Sequence, residues 1–133
     1  MSIYVDRAEE ARARTDVHVN CAQGVTIAFA DALGISEEEA YTMASAFGSG
    51  MKMGATCGAI TGALMVLGLA GADSESAGLL HKVKDRHEGM TDCRDLLRVN
   101  ARKGTPKKEH CDGMVYELVE LTEEILRQQG KID

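Results

Sequence analysis

The stretch GATCGAITGALMVLG, residues 54 to 68, decides the fold class of this chain. It is apolar nearly all round, which predicts a buried helix, and its apolar run is shorter than the ~20 residues of a membrane-spanning helix. Gly54, Gly58 and Gly62 recur at every fourth position and so fall on one stripe. Because each costs a helix roughly 0.5–1 kcal/mol relative to alanine, we expect the stripe to admit a second helix or a cofactor. This helix should be the most buried of the chain.

The rest of the sequence is helical almost throughout. Asn20 and Ser36 are each followed three residues later by Gln or Glu, a capping-box pattern that starts a helix. No alternating run is long enough for a convincing strand. The sequence therefore predicts one all-α domain over residues 1–133, a compact bundle of about five to seven helices. The predicted helices run over about 6–14, 21–33, 36–47, 57–71, 76–88, 92–99 and 111–129.

Composition excludes some classes of function. The 15 basic and 21 acidic residues give a net charge of -6, whereas general nucleic-acid binding needs a basic surface. The first residues, MSIYVDRAEEARART, contain no apolar signal core. We therefore expect a cytoplasmic protein that neither binds nucleic acid nor inserts into a membrane.

Four cysteines carry the chemistry of the sequence: Cys21, Cys57, Cys93 and Cys111. In a reducing compartment such residues stay thiols unless they bind metal or do redox work. Each is predicted to lie at a helix start, where the helix dipole lowers the pKa of a thiol. Four unrelated buried thiols fit the same spacing equally well, because free cysteine is often buried.

The surroundings of the cysteines resemble a known family. Residues 57–62 read Cys-Gly-Ala-Ile-Thr-Gly, the central Cys-Gly-Ala-x-x-Gly element of the C_GCAxxG_C_C family. Cys21 in VNCAQGV matches the first cysteine of that family, and Cys93 and Cys111 match the third and fourth. The resemblance extends from about Val19 onward and implies redox activity. Related domains in some multi-cofactor cytochromes imply an iron–sulfur or electron-transfer role.

We interpret the four cysteines as ligands of an iron–sulfur site, since four thiolates complete a [2Fe–2S] or [4Fe–4S] cluster. Gly54, Gly58 and Gly62 would then give the cofactor room. The usual ferredoxin sites and structural zinc sites both contain close cysteine pairs, whereas the closest pair here, Cys93 and Cys111, is 18 residues apart. Either kind of site would need the tertiary structure to bring the cysteines together, and zinc is the less expected of the two. Covalent c-type haem is not expected, because the sequence has no Cys-x-x-Cys-His.

Two other hypotheses stay open at this point. In a dithiol redox protein, Cys57 would be the reactive thiol and another cysteine would resolve the disulfide. In a structural or interaction module, the cysteines would be buried and inert. Under either redox hypothesis the partner protein is unknown. The glycine stripe also predicts a homodimer, as an alternative to packing within the chain.

Histidine and basic residues near the last two cysteines form a further pattern. His110 adjoins Cys111 and could assist it or bind metal, although a solvated loop histidine is the simpler interpretation. A basic run between Cys93 and Cys111 could lower the pKa values of both or dock an acidic partner. A solvated loop is again the simpler interpretation. The run comprises Arg98, Arg102, Lys103, Lys107 and Lys108.

Overall fold

The structure, a computed structural model, describes residues 2–133. Over these residues it consists of seven α-helices and contains no β-strand, which confirms the prediction of an all-α bundle. The helices are α1 Ile3–Arg12, α2 Cys21–Leu33, α3 Glu37–Met43, α4 Gly58–Leu69, α5 Ser76–Arg86, α6 Cys93–Lys103 and α7 Lys107–Gln128.

Side-chain caps begin α2 and α3 where the sequence predicted them. The Asn20 side chain accepts a hydrogen bond from the Gln23 N–H at 2.8 Å, and the Gln23 side chain accepts one from the Asn20 N–H. Ser36 and Glu39 form the same reciprocal pair at the start of α3. These caps satisfy N–H groups that have no partner within the helix. Gly34, at φ 73°, ends α2 in the left-handed conformation that glycine tolerates.

Three predicted boundaries are wrong by four residues, and α1 begins three residues earlier than predicted, at Ile3. Helix α3 ends at Met43, because the Asn20 side chain donates to the carbonyls of Ala44 and Ser45 in the turn that follows. Helix α6 continues to Lys103 through residues that looked like a loop. Helix α7 begins at Lys107, immediately after the only proline, whose fixed φ suits a helix entry.

The α2–α4 contact forms the centre of the core and uses two of the predicted glycines. A Cβ on Gly62 would lie 2.7 Å from the carbonyl oxygen of Ala22, and one on Gly58 would lie 3.0 Å from that of Phe47. Gly58 and Gly62 therefore let the backbones approach within one chain. Homodimer formation stays a prediction, and packing across a dimer is no longer required to explain these glycines.

Two expectations about the glycine-rich stretch are corrected. Gly54 precedes α4 and has φ 70°, so it belongs to the loop and not to the helical stripe. Helix α4 is also not the most buried. It buries seven of its 12 residues, whereas α2 buries nine of 13. The reason is position, since α2 packs against α1, α3, α4 and α7.

Candidate four-cysteine site

The structure brings all four cysteines to one cavity of about 920 Å³. The convergence of the four cysteines was expected for a shared redox site, but the cavity around them was not, because its walls come from segments far apart in the chain. The wall includes the loop after α1, the loop before α4, and the first turns of α2, α6 and α7. The four thiols therefore share one chamber instead of lying at unrelated places in the core.

Three cysteines lie at helix starts, as predicted. Cys21 and Cys93 are the first residues of α2 and α6, and Cys57 is the N-cap of α4. An isolated antiparallel bridge holds two of these starts together. In it, the Cys57 N–H donates to the Thr91 carbonyl at 2.9 Å, and the Cys93 N–H donates to the Ala55 carbonyl at 2.7 Å. The bridge fixes Cys57 and Cys93 relative to each other.

Cys111 lies in the second turn of α7, not at its start, because the helix begins at Lys107. Its thiol is near that of Cys21, and the two ionisations affect each other. The interaction with Cys21 and the nearby charges of Arg12 and Lys107 lower the pKa of Cys111 to about 6. The interaction with Cys111 and burial raise the pKa of Cys21. Cys111 is therefore the thiol of this pair that ionises first.

Cys57 and Cys93 are in a different electrostatic environment. Cys57 is 6% exposed, and burial raises its pKa to about 11, although the N–H groups of Ala59 and Ile60 favour its thiolate. Burial also raises the pKa of Cys93, with a further contribution from Cys111 and an opposing one from Lys107. The predicted low pKa of Cys57 is therefore wrong for the metal-free chain, because burial outweighs the helix dipole.

The cysteine pattern also identifies the family. The sequence profile described as "Putative redox-active protein (C_GCAxxG_C_C)" matches residues 19–125. The chain belongs to this family. No curated protein and no solved structure matches the chain.

Several members of the cavity wall come from outside the span matched by the C_GCAxxG_C_C profile. Arg12 of α1 is the most buried, with its side chain 9% exposed. Its Nε donates to Asp112 at 2.7 Å and its Nη1 donates to the Val19 carbonyl at 2.6 Å. A fixed positive charge so placed favours the thiolate forms of Cys21 and Cys111. Sequence reasoning missed Arg12, because a single arginine in a polar helix carries no pattern.

The glycines of the C_GCAxxG_C_C stretch occupy two different kinds of position. Gly54 and Gly58 line the cavity, whereas Gly62 packs against α2. Sequence analysis missed Gly50. A Cβ there would lie 2.8 Å from the Cβ of Cys93, and its φ of 61° is one that glycine adopts readily. Gly50 and Gly58 therefore leave space beside two of the four cysteines.

His110 and only part of the basic run line the four-cysteine cavity. Lys107, Lys108 and His110 line the cavity, whereas the other three basic residues of the run lie on α6 outside its wall. Burial, together with His87 and Lys103, lowers the pKa of His110. A neutral imidazole is thus favoured beside Cys111.

No group of three or more His, Cys, Asp or Glu side chains within residues 2–133 is placed to hold a metal ion. The thiols line a wide chamber instead of closing around one point. In the same part of the chain, no helix has the length and apolarity needed to cross a membrane.

Proposed function

We propose that this member of the C_GCAxxG_C_C family is an electron-transfer protein whose four cysteines hold an iron–sulfur cluster. The observation that carries the proposal is the convergence of Cys21, Cys57, Cys93 and Cys111, which are far apart in the sequence, on one cavity. Four thiols in one chamber are the donor set of a [2Fe–2S] or [4Fe–4S] cluster. The cluster would supply one-electron transfer.

The placement of the possible ligands gives no support to a single bound metal ion. A tetrahedral metal ion draws four ligands to about 2.3 Å from one point, and no three potential ligands in residues 2–133 are so placed. A cluster with several iron atoms can bridge ligands that are further apart. The cavity of about 920 Å³ leaves space for it, and Gly50 and Gly58 keep side chains away from Cys93 and Cys21.

The protein supplies charge and rigidity around the thiols. Arg12 and Lys107 offset negative charge at Cys111, and the bridge between Thr56 and Asp92 holds the loops of Cys57 and Cys93 in register. Ionising the buried Cys57 is costly without a positive partner. Bound iron would provide that partner, as metal binding requires deprotonated thiols.

Anaerobic purification tests the proposal. Iron, acid-labile sulfide and zinc are measured after reconstitution with iron and sulfide, together with visible and electron paramagnetic resonance spectra. We expect iron and sulfide in near-equal amounts, lost in each Cys→Ser variant and kept in the control His110→Gln, which alters the cavity wall without removing a thiol. Protein that folds but takes up neither iron nor sulfide would contradict the proposal.

A second candidate function rests on the contact between Cys21 and Cys111. Two neighbouring thiols, one of them with its pKa lowered to about 6, are suited to thiol–disulfide exchange. The Cys111 thiolate would attack a substrate disulfide and release one substrate thiolate. Cys21, after losing its proton, would attack the mixed disulfide and release the second. Two electrons pass to the substrate, and a Cys21–Cys111 disulfide is left.

Mild oxidation with diamide tests this second function. Peptide mapping should find a disulfide between Cys21 and Cys111, and Cys111→Ser should abolish it while leaving Cys57 and Cys93 reduced. The sequence hypothesis assigned the reactive thiol to Cys57, and a disulfide that always includes Cys57 would favour that assignment instead. Oxidised protein that retains four free thiols would exclude both.

A further inference from the structure

The four-cysteine cavity carries a local charge opposite to that of the whole chain. Within residues 2–133, six of the 15 Lys and Arg residues line its wall, but only one of the 21 Asp and Glu residues does so. The net charge of the chain is nevertheless -6. Low-dielectric walls lined by one sign of charge raise the local concentration of ions of the other sign. The cations are Arg12, Arg14, Lys52, Arg94, Lys107 and Lys108.

Two of these cations are free to bind a ligand. Four of the six form ion pairs with neighbouring aspartates, at 2.7 to 3.7 Å. Lys52 and Lys107 have no such partner within the described part of the chain, and they come from different walls of the cavity. The site therefore presents two positive charges that no ion pair with a carboxylate neutralises.

A strained backbone places Lys52 at the cavity rim. Ser49, Met51 and Lys52 have φ values of 53°, 58° and 60°. This left-handed conformation is unfavourable for residues other than glycine, and it persists mainly where the surroundings or a function require it. The next residue, Met53, lines the cavity and is 67% exposed. The segment thus presents a cation and an apolar side chain side by side.

Apolar side chains line the same cavity as the two free lysines. Among them, Val17 and Leu97 are half-buried and Met53 is exposed. The volume of about 920 Å³ lies in the range of small-molecule sites. From these observations we infer that the cavity binds a small organic anion, whose apolar body contacts Met53 and Leu97 and whose charged group pairs with Lys52 and Lys107. This inference goes beyond the proposed function and does not depend on a bound cluster.

Titration with 8-anilinonaphthalene-1-sulfonate, a small aromatic sulfonate that fluoresces in apolar surroundings, tests the inference on the reduced 133-residue chain. We expect saturable binding at one site, weakened by added salt. The uncharged N-phenyl-1-naphthylamine has nearly the same apolar body and should bind about tenfold more weakly or worse, the ratio that 1.4 kcal/mol produces. Equal binding of the two probes would overturn the inference, because the site would then be only an apolar groove.

Charge variants locate the site. Lys52→Gln with Lys107→Gln should weaken sulfonate binding at least about tenfold, since a single charged hydrogen bond is already worth roughly a factor of ten. The matched control is Lys84→Gln with Lys131→Gln, which removes two exposed lysines away from the cavity and gives the same net charge. Equal weakening in both double variants, or no binding to the wild type, would overturn the inference. Iron and sulfide content of the same samples reports separately on the proposed function.

Discussion

Replacing Gly62 with alanine tests how the bundle is built. A Cβ at this position would lie 2.7 Å from the Ala22 carbonyl oxygen and 3.1 Å from the Ala22 Cα. Both atoms belong to the backbone of α2, so they cannot rotate away as a flexible side chain would. The variant must therefore push α4 away from α2 at their closest contact. Gly68 lies on the same helix, is exposed and would have no atom within 4 Å of an added Cβ.

The expected magnitudes follow from two opposing contributions. Overpacking costs about 1–3 kcal/mol, and the better helix propensity of alanine returns roughly 0.5–1 kcal/mol. We expect the free energy of unfolding to fall by about 1–2 kcal/mol in Gly62→Ala. With an unfolding entropy of about 2.1 cal/mol/K per residue over 133 residues, 1 kcal/mol corresponds to about 3.6 °C. The melting temperature should therefore fall by about 4–7 °C.

Circular dichroism melting of the metal-free, reduced protein measures this change. Gly68→Ala is the matched control, and it should melt about 2–4 °C above wild type because it gains helix propensity without steric conflict. The diagnostic result is that two chemically identical substitutions in one helix change the melting temperature in opposite directions. Gly62→Ala melting at or above wild type would refute the close α2–α4 contact.

Three further predictions concern single side chains. In metal-free protein the alkylation rate of Cys111 should rise with pH through about 6, where its thiolate forms. The buried Cys57, with a pKa of about 11, should stay unreactive at neutral pH. Mass spectrometry of iodoacetamide-treated protein measures both rates. Asp112→Asn should destabilise the fold by about 1–3 kcal/mol, because it removes the partner of Arg12. Although burial raises the pKa of Asp112, hydrogen bonds from Arg12 and a lysine outweigh it and hold that pKa below its usual range. This stabilisation is therefore present at neutral pH and lost on acidification, so denaturant melts of the variant should depend less on pH in the acidic range. Thr122→Val should raise the melting temperature by about 3 °C, because the buried Thr122 hydroxyl has no hydrogen-bond partner among the described residues.

Local sequence signals predicted most of the fold. Asn20 and Ser36 start helices in the structure because a capping box needs only neighbours three residues apart. Gly58 and Gly62 were expected to face a close neighbour, and that neighbour is α2. The positions of Cys21, Cys57 and Cys93 at helix starts also depended only on local residues. Each of these features depends on residues that are close together in the sequence, so the sequence was sufficient to predict it.

Features that depend on distant contacts could not be predicted. The cavity exists because the loop after α1 and the first turn of α7 meet, and Arg12 is part of it through Asp112, 100 residues away. The left-handed segment at Ser49 to Lys52 contains only one glycine, so its residue types give no sign of that backbone. The low pKa of Cys111 likewise comes from Cys21 and Arg12 and not from a helix start.

The two redox functions differ in how many cysteines they use, and this difference can be measured. Thiol exchange uses Cys21 and Cys111, and it gives no role to the bridge that fixes Cys57 beside Cys93. A cluster uses all four and explains why that bridge exists. The protein is first treated with one alkylating reagent while folded, and then with an isotopically different one after denaturation in a chelator without reductant. A cluster protects all four cysteines in the folded state and releases all four to the second reagent. A Cys21–Cys111 disulfide keeps that pair from both reagents and leaves Cys57 and Cys93 to be labelled. Cysteines that neither bind iron nor form a disulfide would all be labelled while the protein is folded, with the buried Cys57 last. That pattern in protein treated with diamide would contradict both redox functions.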